Sequence, residues 1–222
     1  MSYSIYNEDC MKILPTLEDK SIECIITDLP YDGVTKKGSD RSKYSGQLRK
    51  LDKGNADVLT FNLQDFLIEI TRVSNGCIYL FCGINQISNI YTYFENNKDF
   101  MVRLCVWHKS NPSPMNGQHM YLSATEFIVF AKRRKTKFNG RCVHNVFEFP
   151  TVKSKLHPTE KPKLLLQQMI LDSTEEYDTV ADFCAGSFST GVSALELNRN
   201  FIGVELKEEW FKTGKNRLKD FE

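Results

Sequence analysis

The stretch TVADFCAGSFSTGVSALELNRNFIGVE, residues 179–205, constrains the fold more than any other part of the chain. A short apolar run ends at Phe183, and small residues follow to Gly191. A helical pattern then spans Val192–Asn198, and a second apolar run, Phe201–Glu205, closes on an acid. This succession reads as strand, loop, helix, strand, the unit of a parallel sheet. Small residues admit a ligand to the backbone, and the helix start offers N–H donors. An acid about 20 residues beyond the loop is where dinucleotide-type folds bind ribose hydroxyls. Gly186 and Gly191 have the spacing of a phosphate-binding P-loop, but Val192 stands where that loop needs its lysine. The Rossmann G-x-G-x-x-G is missing too, because Phe188 stands where a glycine is wanted. The loop alone leaves two readings: a nucleoside ligand without pyrophosphate, foremost S-adenosylmethionine (AdoMet), or a structural turn with no ligand.

The rest of the chain repeats the alternation. Strands are expected at Tyr3–Tyr6, Ser21–Thr27, Cys77–Cys82, Phe100–Trp107 and Thr125–Ala131, and at Thr179–Phe183 and Phe201–Glu205. Helices are expected over Cys10–Glu18, Leu63–Val73 (ended by Asn75-Gly76), Ile84–Asn96, Lys161–Leu171, Val192–Asn198 and Lys207–Lys219. Several strands are apolar throughout, as in a sheet covered on both faces. The chain of 222 residues suits one domain, 1–222, and 41% hydrophobic residues suffice for its core. Residues 32–58 differ in kind, with Lys36, Lys37, Arg41, Lys43 and few apolar anchors; they read as a long mobile loop.

Lys+Arg 29 against Asp+Glu 28 leaves net charge silent about a polyanionic partner, so only local clusters can speak. No apolar run approaches the roughly 20 residues of a membrane span, and Glu8 and Asp9 interrupt any signal-peptide pattern. The seven cysteines form no C-x-x-C pair and the four histidines are scattered, so no metal site is expected. Reduced core thiols in a cytoplasmic protein are the reading.

The strand Ser21–Thr27 ends abruptly in Asp28-Leu29-Pro30-Tyr31. By itself this is as easily a strand-end turn as a site. Together with DFCAGSFSTG at 182–191 and HPTEKP at 157–162, however, it resembles the amino-methyltransferases of DNA, the adenine-N6 and cytosine-N4 enzymes. D-L-P-Y looks like that family's D-P-P-Y tetrapeptide, and it precedes the glycine loop, the order of the circularly permuted β group.

The resemblance implies a Rossmann-like class I AdoMet methyltransferase: α/β, circularly permuted, with a mainly parallel seven-stranded sheet and helices on both faces. Its cofactor would be AdoMet. Asp28 would accept a hydrogen of the target amine, Leu29 would contribute its carbonyl, Pro30 would complete the turn, and Tyr31 would stack on the flipped base. AdoMet would meet Asp9 and Cys10, the loop Asp182, Phe183, Cys184, Ala185 and Gly186, and Glu205 at the ribose. Thr159 and Lys161 would lie near the methionine carboxylate, with His157 and Pro158 shaping the turn and Glu160 capping. Asp9 also reads as a helix N-cap.

Double-stranded DNA is the implied partner. Lys132, Arg133, Arg134 and Lys135 form a cluster suited to phosphates, although a solvated hairpin turn is the plain alternative. Lys109 follows Trp107 in a region resembling the family's W-x-K segment, near the base; Trp107 itself reads equally as core. Lys36, Lys37, Arg41 and Lys43 would grip DNA, and residues 108–155 would form a small target-recognition region. A homodimer and a cognate restriction endonuclease are further implied partners. Asp28 favours adenine, since cytosine-N4 enzymes of this type more often carry serine there. The alternatives are cytosine-N4 transfer and an inactive AdoMet- or DNA-binding relic. Phe188 favours the relic, because it predicts a strained turn with a ring beside the ligand.

Overall fold

Alternation along two apolar strands decides the layers. In β2 (Ile22–Asp28), Ile25 packs into one buried cluster while Cys24 and Ile26 pack into the other. In β3 (Ser74–Cys82), Ile78, Leu80 and Cys82 join Ile25, whereas Cys77, Tyr79 and Phe81 join Cys24. Both faces of these strands are therefore covered, which is why they read as continuous apolar runs. The computed structural model describes residues 1–30, 60–114, 117–152, 156 and 159–221. Tyr31, the 32–58 segment with Lys36, Lys37, Arg41 and Lys43, and His157 and Pro158 lie outside the described residues.

The first cluster is closed by α1 (Cys10–Ile13), α2 (Leu63–Val73) and α3 (Ile84–Asn96), through Leu14, Phe66, Leu67, Ile70, Ile90 and Phe94. The second is closed by α4 (Lys163–Ser173), α5 (Ser189–Glu196) and α6 (Glu208–Leu218), through Leu165, Met169, Ile170, Leu195 and Leu218. Helices thus lie on both faces, as expected.

The remaining strands are β1 (Tyr3–Tyr6), β4 (Phe100–Lys109), β5 (Thr125–Arg133), β6 (Val146–Phe149), β7 (Thr179–Asp182) and β8 (Asn200–Val204). The sheet order is β1-β8-β7-β2-β3-β5-β4-β6. The expected seven-stranded sheet is therefore corrected to a mixed one with eight strands among the described residues. Only β5 runs against the rest, antiparallel to β3 and β4. The missed strand is β6, whose VFEF is half exposed at the sheet edge and carries no apolar run. Its partner β4 holds it through Val106↔Val146 to Lys109↔Phe149, and the buried Trp107 indole donates to the Phe149 carbonyl at 2.9 Å. Trp107 is core.

Two helix expectations change. The Cys10–Glu18 helix stops at Ile13 and tightens into a 3-10 turn over Leu14–Thr16, where Pro15 has no N–H to continue it. Asn75-Gly76 does not end α2, because the chain passes from Val73 straight into β3. Gly76 lies against β2, where a Cβ would sit 2.1 Å from the Glu23 carbonyl oxygen. Five of the seven cysteines are buried, and all seven are free. Among the described residues no helix is long and apolar enough to cross a membrane.

Strand order creates the site. From β2 the chain moves outward to β3 across α2 on one face; from β7 it moves the other way to β8 across α5 on the opposite face. Their divergence opens a crevice at the carboxyl ends of β2 and β7, the switch point where such sheets bind ligands.

Phe188 departs from expectation in a useful way. It does adopt positive φ (57°), a conformation costing about 1–2 kcal/mol for a residue with a side chain. Its ring, however, is fully buried, edge-on to Phe201 at 6.1 Å and Phe211 at 5.9 Å, and does not line the cleft at the strand ends. Burying a phenylalanine returns roughly 1.5–3 kcal/mol, enough to hold the strained turn. Space for the ring comes from two glycines: a Cβ on Gly203 would lie 3.1 Å from it, and one on Gly214 of α6 only 2.4 Å. Alanine in a helix interior ordinarily stabilises by about 0.5–1 kcal/mol over glycine. Gly214→Ala should instead destabilise by about 1–3 kcal/mol in urea unfolding, as overpacking does, and Phe188→Leu should relieve part of the loss. A stabilising Gly214→Ala would show that the ring yields freely.

Candidate active site

The crevice is built from three short segments. β2 delivers Asp28 and Leu29. The Leu29 N–H donates to the Phe81 carbonyl at 3.0 Å, and its side chain is buried in the first core cluster. A leucine replaces the expected proline here without loosening the turn, since packing and that bond fix it. Gln86, buried on α3, donates from Nε2 to the Pro30 carbonyl at 2.9 Å while its Oε1 accepts from the Gly83 N–H at 2.8 Å. Gln86 thus anchors the tetrapeptide from below. Nothing in the sequence pointed to it except its place one turn beyond a glycine helix start.

β7 delivers Asp182 and the glycine loop. Asp182 accepts from the Thr190 hydroxyl at 2.7 Å and the Cys184 N–H at 3.1 Å. Burial pushes its carboxyl up to about 7; those two donors pull it down, and Asp28 and Glu205 push it up. Gly186, with φ 51°, gives its N–H to Glu205 at 2.8 Å, and Glu205 also accepts from the Lys207 N–H at 2.8 Å. Glu205 therefore ties the loop to the end of β8. The Asn7 amide binds the Glu205 carbonyl at 2.8 Å and brings the end of β1 alongside.

The third segment is 159–161, leading into α4. With Asp28, Leu166, Asp182, Cys184, Ala185, Gly186, Ser187, Ser189 and Thr190, residues Thr159, Glu160 and Lys161 line one cleft. Glu160 is no cap: it pairs with Arg217 of α6 at 2.9 Å, and its Oε2 is buried with no hydrogen-bond partner among the described residues. Arg217 also binds the Ser187 carbonyl and hydroxyl, both at 3.0 Å, and so fixes the loop from behind.

Lys161 departs from expectation. Its ammonium is buried and ion-paired with the Asp28 carboxylate, 3.3 Å from Glu126 and 4.9 Å from the centre of the Phe81 ring. Burial pushes this ammonium down, but Asp28 and Glu126 together push it further up, so it stays charged. Its partners in the structure are thus two protein acids.

The other expected cofactor residues are placed as follows. Asp9 caps α1, accepting from the Met11 N–H at 2.9 Å. Cys10 is buried, and burial first, then Asp9, pushes its thiol up to about 12. Neither lines the cleft, and Phe183 turns into the core, edge-on to Phe66 at 6.4 Å. Cys10, Asp182, Glu205 and Asp28 nonetheless all act on the Cys184 thiol, which burial pushes well up. These groups gather around one point.

The basic cluster lies away from the crevice. Because β5 is reversed, Lys132 pairs with Cys77, and Cys77 with Cys24, four residues below Asp28. That is roughly 13 Å along the strand, at the opposite sheet edge. Lys132 binds main-chain carbonyls of its own turn. Arg133 binds the Ser74 and Thr71 carbonyls and Asp99, Arg134 binds the Lys98 carbonyl, and Lys135 closes the turn at φ 68°. These residues hold the far edge together and do not face the crevice. Lys109, in contrast, stands at the crevice edge, 2.8 Å from Glu126 and over the Trp107 ring.

The family model for DNA methylase matches residues 22–216, which takes in Asp28, the glycine loop and Lys161, and the chain belongs to that family. Among its relatives is the type II methyltransferase M2.MboI of Moraxella bovis, 28% identical over 240 residues that cover 97% of this chain and 87% of that protein. The solved M1.HpyAVI–SAM complex is 29% identical, with a TM-score of 0.73 over 97% of this chain and 100% of that one. The PvuII DNA methyltransferase (cytosine-N4-specific) superposes with a TM-score of 0.74 over 98% of this chain and 86% of that one; at 18% identity it speaks to the fold alone.

Asp182 makes this site pH-sensitive in a calculable direction. Its unfolded carboxyl releases its proton near 3.8, its folded one near 7, so the folded state holds the extra proton between those values. Stability from this group therefore falls as pH rises through that window. In urea unfolding at pH 5 to 8, the wild type should lose stability relative to Asp182→Asn as pH increases, by a few kcal/mol at most. A difference that stays flat would show that Asp182 titrates normally.

Proposed function

We propose that the chain is an AdoMet-dependent DNA methyltransferase that methylates adenine at N6 after base flipping. The observation that carries this reading is the meeting of Asp28, the Leu29 main chain and the glycine loop at one switch point. The acidic lining, Asp28, Asp182 and Glu160 with the buried oxygen of the last unpartnered among the described residues, suits a ligand bearing an ammonium and a sulfonium. Small residues at 185–187 leave the backbone accessible to it, and Glu205, at the end of the next strand, is the residue we assign to the ribose. When bound, AdoMet supplies a methyl group whose bond to sulfur breaks as the bond to N6 forms, leaving a neutral thioether.

An adenine amine is a poor nucleophile, its lone pair delocalised into the ring. Asp28 and the Leu29 carbonyl accept its two hydrogens and turn the lone pair outward. Positive charge grows on that nitrogen during transfer, so an anionic acceptor stabilises the transition state more than the ground state. Asp28 then takes the departing proton. Tyr31 is the stacking platform, and positioning supplies much of the remaining acceleration. Carboxylate rather than hydroxyl at position 28 favours adenine over cytosine.

The element order is read as a circular permutation, supported by β1 pairing with β8, Tyr3↔Phe201 to Tyr6↔Val204. Part of the proposed 108–155 recognition region belongs to the sheet, in β5, β6 and the end of β4. Residues 110–124, which join β4 to β5 at the Asp28 edge, are the part we assign to DNA, with Lys36, Lys37, Arg41 and Lys43 of the 32–58 segment as phosphate contacts. A homodimer and a cognate restriction endonuclease belong to the same reading, the latter supported by relatives named type II methyltransferases.

DNA incubated with the protein and methyl-labelled AdoMet, then digested to nucleosides, should carry its label in N6-methyladenine. Label in methylcytosine would overturn the base assignment, and no label with binding retained would favour the relic. Asp28→Ala should lower transfer by on the order of a hundredfold to a thousandfold or more, with AdoMet binding retained. Near wild-type transfer by that variant would refute the mechanism.

A further inference from the structure

Lys161, beside Asp28, poses an electrostatic problem for the function just proposed. A buried ammonium behind the amine acceptor opposes the cation growing on the amine. The structure supplies a second acid to divide that charge. Glu126, the second residue of β5, lies 3.3 Å from Lys161 and 2.8 Å from Lys109, and its Oε2 has no other hydrogen-bond partner among the described residues. It is the one acid of β5, TEFIVFAKR, and its carboxyl stays below the usual range despite burial, held there by Lys161 and Lys109. Only the reversed strand could place it here: the start of β5 stands beside the ends of its parallel neighbours, with Glu126 opposite Trp107 and Phe127 opposite Cys82.

We propose that Glu126 is a positioning residue for methyl transfer, acting through Lys161 on Asp28 in an alternating chain Lys109–Glu126–Lys161–Asp28. Glu126 shares the Lys161 ammonium, so Asp28 keeps the negative character that the transition state needs while its carboxylate is held in one orientation. Bound substrate carries no charge on its amine. Loss of Glu126 therefore acts mainly on the transition state and lowers kcat more than it raises KM.

The inference rests on the adenine-methyltransferase reading, and one experiment separates their failures. Wild type, Glu126→Gln, Lys161→Met and the double variant are assayed on unmethylated plasmid DNA, with AdoMet affinity and thermal unfolding measured in parallel. Glu126→Gln should lose about tenfold to a hundredfold in kcat, the range for outer partners of reacting groups, with AdoMet affinity within about threefold of wild type. In the Lys161→Met background the same change should cost under about twofold, because the two act as a unit. Undiminished kcat in Glu126→Gln, or an equal loss with and without Lys161, overturns the inference while leaving the function intact. A wild type that transfers no methyl overturns both. Should Glu126→Gln fail to fold, Glu126→Asp carries the test, since it keeps the charge but withdraws it by one methylene. A fall in kcat beyond about twofold at unchanged KM supports the role, and a smaller change overturns it.

Discussion

The parallel pairing of β2 with β7 is the contact on which the site depends. Cys24↔Val180 and Ile25↔Ala181 join segments more than 150 residues apart, and only two register pairs define the seam. One further bond, from the Phe183 N–H to the Thr27 hydroxyl at 3.2 Å, carries it to the strand ends. Because both strands end together, Asp28 and Asp182 emerge side by side, and because their crossovers diverge, no helix among the described residues covers them. The cleft, Asp28 and the glycine loop are thus one consequence of strand order. The fold does not need to bring them together by any later adjustment.

Charge at that edge is the next constraint. Asp28, Asp182, Glu160 and Glu205 gather at this edge, where burial pushes the carboxyls of Asp182 and Glu205 up. Each has a different compensation: an ammonium for Asp28, a hydroxyl and an N–H for Asp182, a guanidinium for Glu160, and two main-chain N–H groups for Glu205. Asp182 receives no full positive charge, and its carboxyl is pushed up to about 7. The carboxyl that titrates near neutrality thus lies beneath the glycine loop, on the Thr190 hydroxyl and the Cys184 N–H.

Much of this was legible in the sequence, because the strands that build the site are buried on both faces. Such strands show as unbroken apolar runs, and the small-residue loop and D-L-P-Y sit at their ends. What was not legible has physical reasons. β6 is a half-exposed edge strand with no run to read. The basic turn at 132–135 looks like a phosphate surface until the direction of β5 is known, and strand direction is a tertiary property. Gln86, Glu126 and Arg217 act on residues dozens of positions away, so local pattern could not assign them. Lys161 was found, but its partners were not, because a lysine near a ligand loop reads as a ligand contact unless two acids are seen facing it.

Phe188 shows how a local conflict is settled at a distance. Judged within the loop, an aromatic residue at positive φ signals a damaged site. Judged with Gly203 on β8 and Gly214 on α6, it is a wedge that locks the loop to the closing helix, with Phe211 of the same helix on its edge. Arg217, one turn further along α6, then reaches the Ser187 carbonyl. The same helix thus holds the loop twice, once through an apolar ring and once through a cation. A glycine at position 188 would remove the strain and also the first of these holds. The turn that looked like decay is better understood as a loop whose rigidity has moved from backbone freedom to side-chain packing.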